Sequence, residues 1–317
     1  MVLLEQISFL VDELLQHGWE ILNVDIQEPV KLEHTGSWLK ADILDVDVIG
    51  KVFDDFKPDT VIHLAARTTT DSNQLNDYVV NTKGTATILD AVGATSSVAK
   101  VIMTSTQFVY GSGSLPNGDS DYNPHTIYGQ SKVVSEELTR RANLNCHWTI
   151  IRPTNVWGPW HPRYDKEFWH ILKKGLYVHP RTSKPVIRSY GYVGNVVWQI
   201  EEILKAPSDK VHGRVLYLGD KPISQIEWVN AFSVAITGHK VRVVPSSLLW
   251  GLGFLGSILS RFRIGFPMTL SRYHSMTRDY IVPMDPTFNT LGLPPFSIEE
   301  GVEATVKWLE DRGFFDS

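Results

Sequence analysis

From Trp19 to Pro153 the chain alternates short apolar runs with amphipathic stretches, and that rhythm restricts the folds open to it. The runs "WEILNVD", "PDTVIHLAA", "VAKVIMTST" and "HWTIIRP" read as strands, and "DVDVIGKVFDDF", "NTKGTATILDAV" and "IYGQSKVVSEELTRRAN" between them read as helices. Strands separated by helices form a parallel sheet covered on both faces, and ligands of such sheets bind at the carboxyl ends of the strands. Ahead of the first run, Leu10 with Leu14 and Val11 with Leu15 fall at helical spacing, and Gly18 supplies a stop. From Trp157 the text is richer in Trp, Pro, Gly and Arg, and its elements are short. The expected fold is therefore α/β, a doubly wound parallel sheet followed by a smaller C-terminal lobe.

Composition narrows the class of function. Across 317 residues, 43% hydrophobic and 21% charged content is that of a soluble globular chain, and a net charge of −5 with scattered cations offers no nucleic-acid surface. The single Cys146 excludes an internal disulfide and fits a reducing compartment, so a cytoplasmic protein is expected. No secretory leader is expected, because the first lysine or arginine is Lys31. The longest apolar run, "SSLLWGLGFLGSILSRF" from Ser246, is too short to span a bilayer. It reads as a buried or lid helix rather than an interfacial one, because it lacks a developed basic face. His63, at a strand end, reads as a packed core histidine, and no cluster has convincing metal-ligand spacing.

The strongest chemical signal is "STQFVYG…PHTIYGQSK". Tyr128 and Lys132 stand four apart at the start of a helix, so their side chains share a face. An ammonium beside a phenol favours the phenolate and lowers a pKa of about 10 toward neutrality. Tyr128 is thus a candidate proton shuttle for alcohol–ketone interconversion, and Thr106, at the preceding strand end, a candidate donor to the same substrate oxygen. A Tyr-x-x-x-Lys spacing alone is common on helix surfaces; its place after a strand ending in Ser-Thr, within a βαβ series, gives it weight.

From residue 8 onward the chain resembles the extended short-chain dehydrogenase/reductases of the NAD-dependent epimerase/dehydratase family. The resemblance rests on "VDIQEP", "ADILD", "VIHLAA", "NTKGT", "TSTQFVYG", "YGQSK", "RPTNVWGP" and "VIRSYGYVGNVV", in that order. It implies a Rossmann-like sheet with NAD as cofactor, and Thr106, Tyr128 and Lys132 as the catalytic set. It further implies that Lys132 holds the nicotinamide ribose. Asp25 would bind the adenosine ribose and repel a 2′-phosphate, which favours NAD over NADP. Asp42 and Ile43 would flank the adenine. Leu64, Ala65 and Ala66 would form the small-residue loop against the cofactor, with Asn81 and Pro153 completing its pocket. Asn155 and Arg188 would hold a nucleotide sugar, a guanidinium suiting a diphosphate, although Arg188 serves equally as an ion-pair partner. The resemblance divides the chain into a cofactor domain, 1–155 with a contribution from about 186–218, and a substrate lobe, 156–185 and 219–317. A homodimer is compatible with it.

One departure is large. The family's first strand and GxxGxxG turn should precede the first helix, yet no glycine occurs before Gly18, and counting back puts the three glycines at Met1, Leu4 and Ile7. The first strand of the sheet is thus expected to be missing. Such a chain is either a shortened or altered enzyme or a cofactor-deficient, non-enzymatic relative, and weak NAD binding is expected in either case. The acidic pair that family dehydratases carry after the catalytic Ser/Thr is replaced by Gln107 and Phe108, which disfavours dehydration. What remains is epimerisation or oxidation/reduction of a secondary alcohol on a nucleotide sugar. The apolar segment from Ser246 gives a second reading, a hydrophobic, steroid-like alcohol.

Overall fold

The computed structural model describes residues 4–161, 164, 168–262, 264 and 266–316. Its first half contains α1 (Leu4–Gln16), β1 (Asn23–Asp25), β2 (Trp38–Lys40), α2 (Val46–Phe56), β3 (Thr60–His63), α3 (Thr85–Ala94), β4 (Lys100–Thr104), α4 (Ile127–Arg141) and β5 (His147–Pro153). There follow β6 (Asn155–Trp157), α5 (Trp169–Lys173), β7 (Val178–Arg181), β8 (Ile187–Arg188), β9 (Tyr190–Tyr192), α6 (Val193–Lys205), α7 (Ser208–Val211) and β10 (Arg214–Leu218). The remainder comprises β11 (Ile223–Ser224), α8 (Gln225–Thr237), β12 (Arg242–Pro245), α9 (Ser246–Arg261), α10 (Leu270–Thr277), α11 (Asp285–Leu291) and α12 (Ile298–Asp311). Every strand and helix read from the pattern up to Pro153 is present, and β5 coincides with "HWTIIRP".

The fold is α/β, with a Rossmann-like parallel sheet between helices. Four strands run in the order β10-β5-β4-β3, all parallel, with Thr60 beside Lys100 and Lys100 beside His147. The interior of this sheet is apolar on both faces: Val101, Ile102, Ile150, Ile151 and Leu216 are inaccessible to solvent. Lys100 is a buried exception, and its ammonium is satisfied by the carbonyls of Ile203, Leu204 and Ala206 at the C-terminal end of α6. The cation thereby locks α6 to β4 and complements the helix dipole.

The expected gap in the sheet is present. β1 and β2 pair only with each other, as a separate parallel ribbon, and β3 pairs only with β4. The free edges of β1 and β3 border a slot of about 340 Å3, lined by Ile21–Asp25, Thr60–Ala65, Leu10, Val11 and Leu14 of α1, and Ile49, Val52 and Phe53 of α2. Its lining is apolar on several sides and includes both unpaired strand edges, as the place of a buried strand would be. Leu4 and Ile7 lie within α1 rather than in a turn, and Met1 lies outside the described residues. Helix α1 is held by the packing of Leu10 and Leu14 in the core, by hydrogen bonds between the His17 ring and Glu201 of α6 and between the His34 ring and Asp12, and by the pairing of Asp12 with Lys31. These pairs use up the carboxylates of Asp12 and Glu201, which stand in the groups of acidic and histidine side chains nearest to a metal-ligand arrangement among the described residues.

The C-terminal part packs around an aromatic cluster. The Trp228 ring stacks on Tyr190 at 4.5 Å, Trp169 meets Phe232 at 4.3 Å, and Trp157 is fully buried among them. Of the two readings given to the apolar run, a buried or a lid helix, the first is corrected here: in α9 only Leu249, Gly253 and Gly256 are buried, while Leu248, Trp250, Phe254, Leu255 and Ile258 face solvent. Its small residues explain the geometry, because a Cβ at Gly256 would sit 1.8 Å from the carbonyl oxygen of Met268, so the backbone before α10 lies directly against the helix. Among the described residues no helix is long and apolar enough to cross a membrane.

Two unpaired strand edges around an apolar slot should accept a strand. An extended segment of five or six residues, apolar on both faces and fused through a flexible glycine–serine linker, should raise the melting temperature, whereas a scrambled polar segment should not. An unchanged melting temperature with several such apolar segments would mean that the slot does not take a strand.

Candidate active site

Helix α4 begins where a cap dictates. The Thr126 side chain accepts from the Gly129 N–H at 3.0 Å, and the cationic Arg140 and Arg141 occupy the last turn. Tyr128 and Lys132 both lie on the face turned into the protein, 6% and 1% exposed. The strand-to-helix corner on the other side of the site is built by Thr106, whose hydroxyl oxygen accepts from the Phe108 N–H and caps a short turn over Gln107–Val109. The two segments approach closely because residue 129 is glycine: a Cβ there would lie 2.3 Å from the Phe108 carbonyl oxygen. The rings of Phe108 and Tyr78 flank Tyr128 at 6.2 and 6.3 Å.

The electrostatics turn on charges that the sequence reading passed over. Arg152 of β5, with none of its surface exposed, donates through Nε and Nη2 to the two oxygens of Glu136 at 2.8 Å each. Its Nη1 donates to the Tyr217 hydroxyl at 3.0 Å and its Nη2 also to the Asp119 carbonyl at 2.6 Å. Tyr122 and Arg140 donate to the same Glu136 carboxylate. Burial alone would raise the Glu136 carboxyl, but the bonds and charge of Arg152, with Arg140 behind, hold it below the ordinary carboxylate range. Glu136 stands one helical turn beyond Lys132. Burial lowers the Lys132 ammonium to about 8, and the Glu136 charge opposes that fall. The amine stays protonated at neutral pH. Because folding lowers its affinity for the proton, the stability linked to Lys132 is greatest above its ordinary pKa of 10.5 and is lost as pH falls through about 8.

His63 is a buried neutral imidazole, its pKa brought down to about 3 by burial and by the nearby Lys132 charge, and its Nε2 lies 3.3 Å from the Thr85 hydroxyl. That is the core histidine expected. Asn81, fully buried, holds the loop after β3: its Oδ1 accepts from the Arg67 N–H, and its Nδ2 donates to the Arg67 carbonyl and to Ser131 of α4. Asn81 thus links the β3 loop to the turn of α4 that carries Tyr128 and Lys132.

Asp25 ends β1 and accepts from the Gln27 N–H at 2.9 Å; partial burial raises its carboxyl, against that bond. Asp25, Ile43, Leu64 and Ala65 all border the slot, and Ala66 continues the loop from β3. Asp42 folds back on its own chain, accepting from the Leu44 N–H, one residue before the buried Ile43. Pro153 closes β5 at the same carboxyl-end edge. Asn155 starts β6 beside Tyr190. Arg188 donates to the Ser275 carbonyl of α10 and lies over the Tyr280 ring, with no carboxylate partner among the described residues. The Tyr280 hydroxyl donates to the carbonyls of Gln107 and Tyr110, and its ring meets Phe108 at 6.1 Å. Aromatic contacts therefore run from Arg188 to Tyr128. The Gln107 side chain is buried among these groups, and neither its amide nitrogen nor its oxygen meets a partner among the described residues.

Comparison with known proteins gives this arrangement its class. The profile of the NAD dependent epimerase/dehydratase family matches residues 8–219. The chain belongs to the NAD-dependent epimerase/dehydratase family. The human short-chain dehydrogenase/reductase family 42E member 1 is 24% identical, over 94% of this chain and 83% of that protein. N-acetyl-alpha-D-glucosaminyl-diphospho-ditrans,octacis-undecaprenol 4-epimerase of Escherichia coli O157:H7 is 32% identical, over 62% of this chain and 60% of its own. Among solved structures, UDP-glucose 4-epimerase of Thermotoga maritima with UDP-glucose superposes with a TM-score of 0.72 at 21% identity, covering 96% of this chain and 95% of that one.

NAD is the cofactor of this epimerase/dehydratase family. Asp25 accepts a backbone N–H and keeps lone pairs for further donors, and Lys132 is a buried ammonium.

The Glu136 carboxylate is the group on which the site's charges balance. Glu136→Gln should cost about 3–5 kcal/mol of stability, since it strands Arg152 in the interior. It should also carry the Lys132 pKa below about 8, since it removes the opposing charge. Thermal melts, with titration of Lys132 followed by NMR, would check both; an unchanged melting temperature would show that Arg152 finds another partner.

Proposed function

We propose that this chain is an NAD-dependent enzyme that oxidises a secondary alcohol of a nucleotide sugar to a ketone and reduces it again, as an epimerase or as a simple dehydrogenase. The observation that carries the reading is that buried Tyr128 and Lys132 share one face of α4, whose Gly129 lies against the turn that Thr106 caps just beyond β4. The 4-epimerases among its relatives, one acting on a diphospho-linked sugar, support the substrate class. In this reading the cofactor domain comprises 1–155 with about 186–218, and the substrate lobe comprises 156–185 and 219–317.

NAD, when bound, accepts a hydride from the alcohol carbon and returns it. The protein's part is proton handling and positioning. The Thr106 oxygen already accepts from a backbone N–H, which leaves its own proton to donate to the substrate oxygen. Tyr128 takes the alcohol proton at its phenolic oxygen, helped by the neighbouring ammonium of Lys132, which favours the phenolate. Lys132 in turn binds the ribose beside the nicotinamide, and Asp25 the adenosine ribose. Asp42, Ile43, Leu64, Ala65, Ala66, Asn81 and Pro153 line the cofactor, and Asn155 with Arg188 holds the diphosphate side of the substrate. Epimerisation follows if the ketone turns before reduction, and net oxidation if it leaves. Dehydration would need an acid beside Thr106, where Gln107 has no proton to exchange at neutral pH.

Tyr128→Phe should lower turnover of a UDP-hexose by at least about a hundredfold while leaving the melting temperature in place. Chromatographic assay of sugar interconversion in the presence of NAD would check it, and near-normal turnover in the folded variant would remove Tyr128 from the chemistry. The ribose role of Asp25 makes a separate prediction. Calorimetric titration should find NAD bound more tightly than NADP, and Asp25→Ala should narrow the difference. Equal affinities in the unaltered protein would count against that role.

A further inference from the structure

Helix α9 is the largest feature that the proposed chemistry leaves unused. A helix this apolar normally lies in a core, yet Leu248, Trp250, Phe254, Leu255, Ile258 and Phe262 are all exposed, Phe262 by 71%. The Trp250 and Phe254 rings stack on each other at 5.7 Å on the outer surface. The opposite, narrow face is firmly seated: Gly253 and Gly256 abut the backbone at Met268 and Thr269, Ser257 accepts from the Leu270 N–H at 2.9 Å, and Ser246 meets the Tyr273 hydroxyl at 2.8 Å. The exposed side chains are therefore held outward by a fixed contact with α10. Single apolar residues on a surface need no explanation, whereas a contiguous face of this kind marks an interaction site.

The charge around the helix identifies what covers it. Between Trp228 and Arg278 the sequence has six lysines and arginines and no aspartate or glutamate, in a chain whose net charge is −5. Lys240 and Arg242 stand exposed just ahead of α9, Arg261 ends it, and Arg272 and Arg278 lie on and just after α10. An apolar helical face with an aromatic pair, flanked in the sequence by the cations Lys240, Arg242, Arg261 and Arg272, matches the headgroup region of an anionic bilayer, where the rings enter the acyl boundary and the cations meet phosphates. A protein partner or a second copy would have to present an apolar groove with an acidic border to match it.

We propose that α9 and its basic border seat this protein on an anionic lipid surface, as an in-plane helix that does not cross the membrane. Helix α10, which carries α9, also provides the Ser275 carbonyl that receives Arg188. The docking stands on its own observations and does not depend on the proposed reaction.

Vesicle flotation of the full chain tests it. Vesicles of phosphatidylcholine with phosphatidylglycerol should carry the protein upward, phosphatidylcholine alone should carry much less, and added salt should release it. Trp250→Ser/Phe254→Ser/Leu255→Ser, with its circular dichroism and melting unchanged, should lower the bound fraction at least about tenfold. Lys240→Glu/Arg242→Glu, which leaves α9 intact, should weaken binding to the anionic vesicles by roughly tenfold or more and leave the residual neutral binding as it was. Failure of the unaltered protein to float with anionic vesicles would overturn the proposal. So would equal, salt-insensitive binding to both vesicle types. A concentration-dependent dimer that the triple substitution dissolves, without flotation, would assign the face to a second copy instead.

Discussion

The bidentate pair of Arg152 and Glu136 is the contact on which the site depends. It joins the middle of the sheet to the third turn of the helix carrying Tyr128 and Lys132, through direct hydrogen bonds. A buried pair gains little over well-packed apolar side chains, because both ions must first lose their hydration. Its value here is positional. Together the Arg152 donors reach three parts of the shell: Glu136 on α4, Tyr217 on β10, and the Asp119 carbonyl in the loop before α4. Movement of the helix would break several charged bonds at once. The same carboxylate helps to keep a proton on Lys132, so one group sets both the place and the charge of the candidate catalytic lysine.

The sheet carries the opposite feature. A parallel sheet is stable when its central strands are covered above, below and on both edges. Here the β1–β2 ribbon and the four-stranded sheet each keep an open edge on the slot of about 340 Å3. The helices on either side remain in place because they have other holds. Helix α1 is tethered through His17 and Asp12, and α6 through the carbonyls that receive Lys100. Asp25 and the loop from Leu64 border that slot, so the adenosine end of the candidate cofactor site and the gap in the sheet are one region of space.

Glycine and aromatic residues set the distances elsewhere. Gly129 lets α4 touch the turn after Thr106, and no other residue type would fit beneath the Phe108 carbonyl. Phe108 and Tyr280 then pass that position on toward Arg188, across the boundary between the sheet and the aromatic C-terminal packing. In α9 the same device has the opposite result. Small residues seat one face so closely on the chain before α10 that the large ones must point outward.

Local pattern determined a great deal by itself. Alternation of β-type runs with helical periodicity is a short-range property, and it specified the parallel sheet, the order of its elements and the strand ends where Asp25, His63, Thr106 and Pro153 lie. The i, i+4 spacing of Tyr128 and Lys132 is likewise local. The partnership of Glu136 and Arg152 was not legible, although an arginine inside "HWTIIRP" signals that a buried cation must be matched by something. Sixteen residues and a change of element separate the two, and only the packing of α4 on β5 selects Glu136 from the chain's other acids. The state of α9 escaped for a related reason. Its composition is that of a core helix, and whether such a helix is covered depends on what else reaches that side of the molecule. Tertiary structure decided these points because burial and pairing are properties of surfaces that meet, and residues distant in sequence supply the second surface.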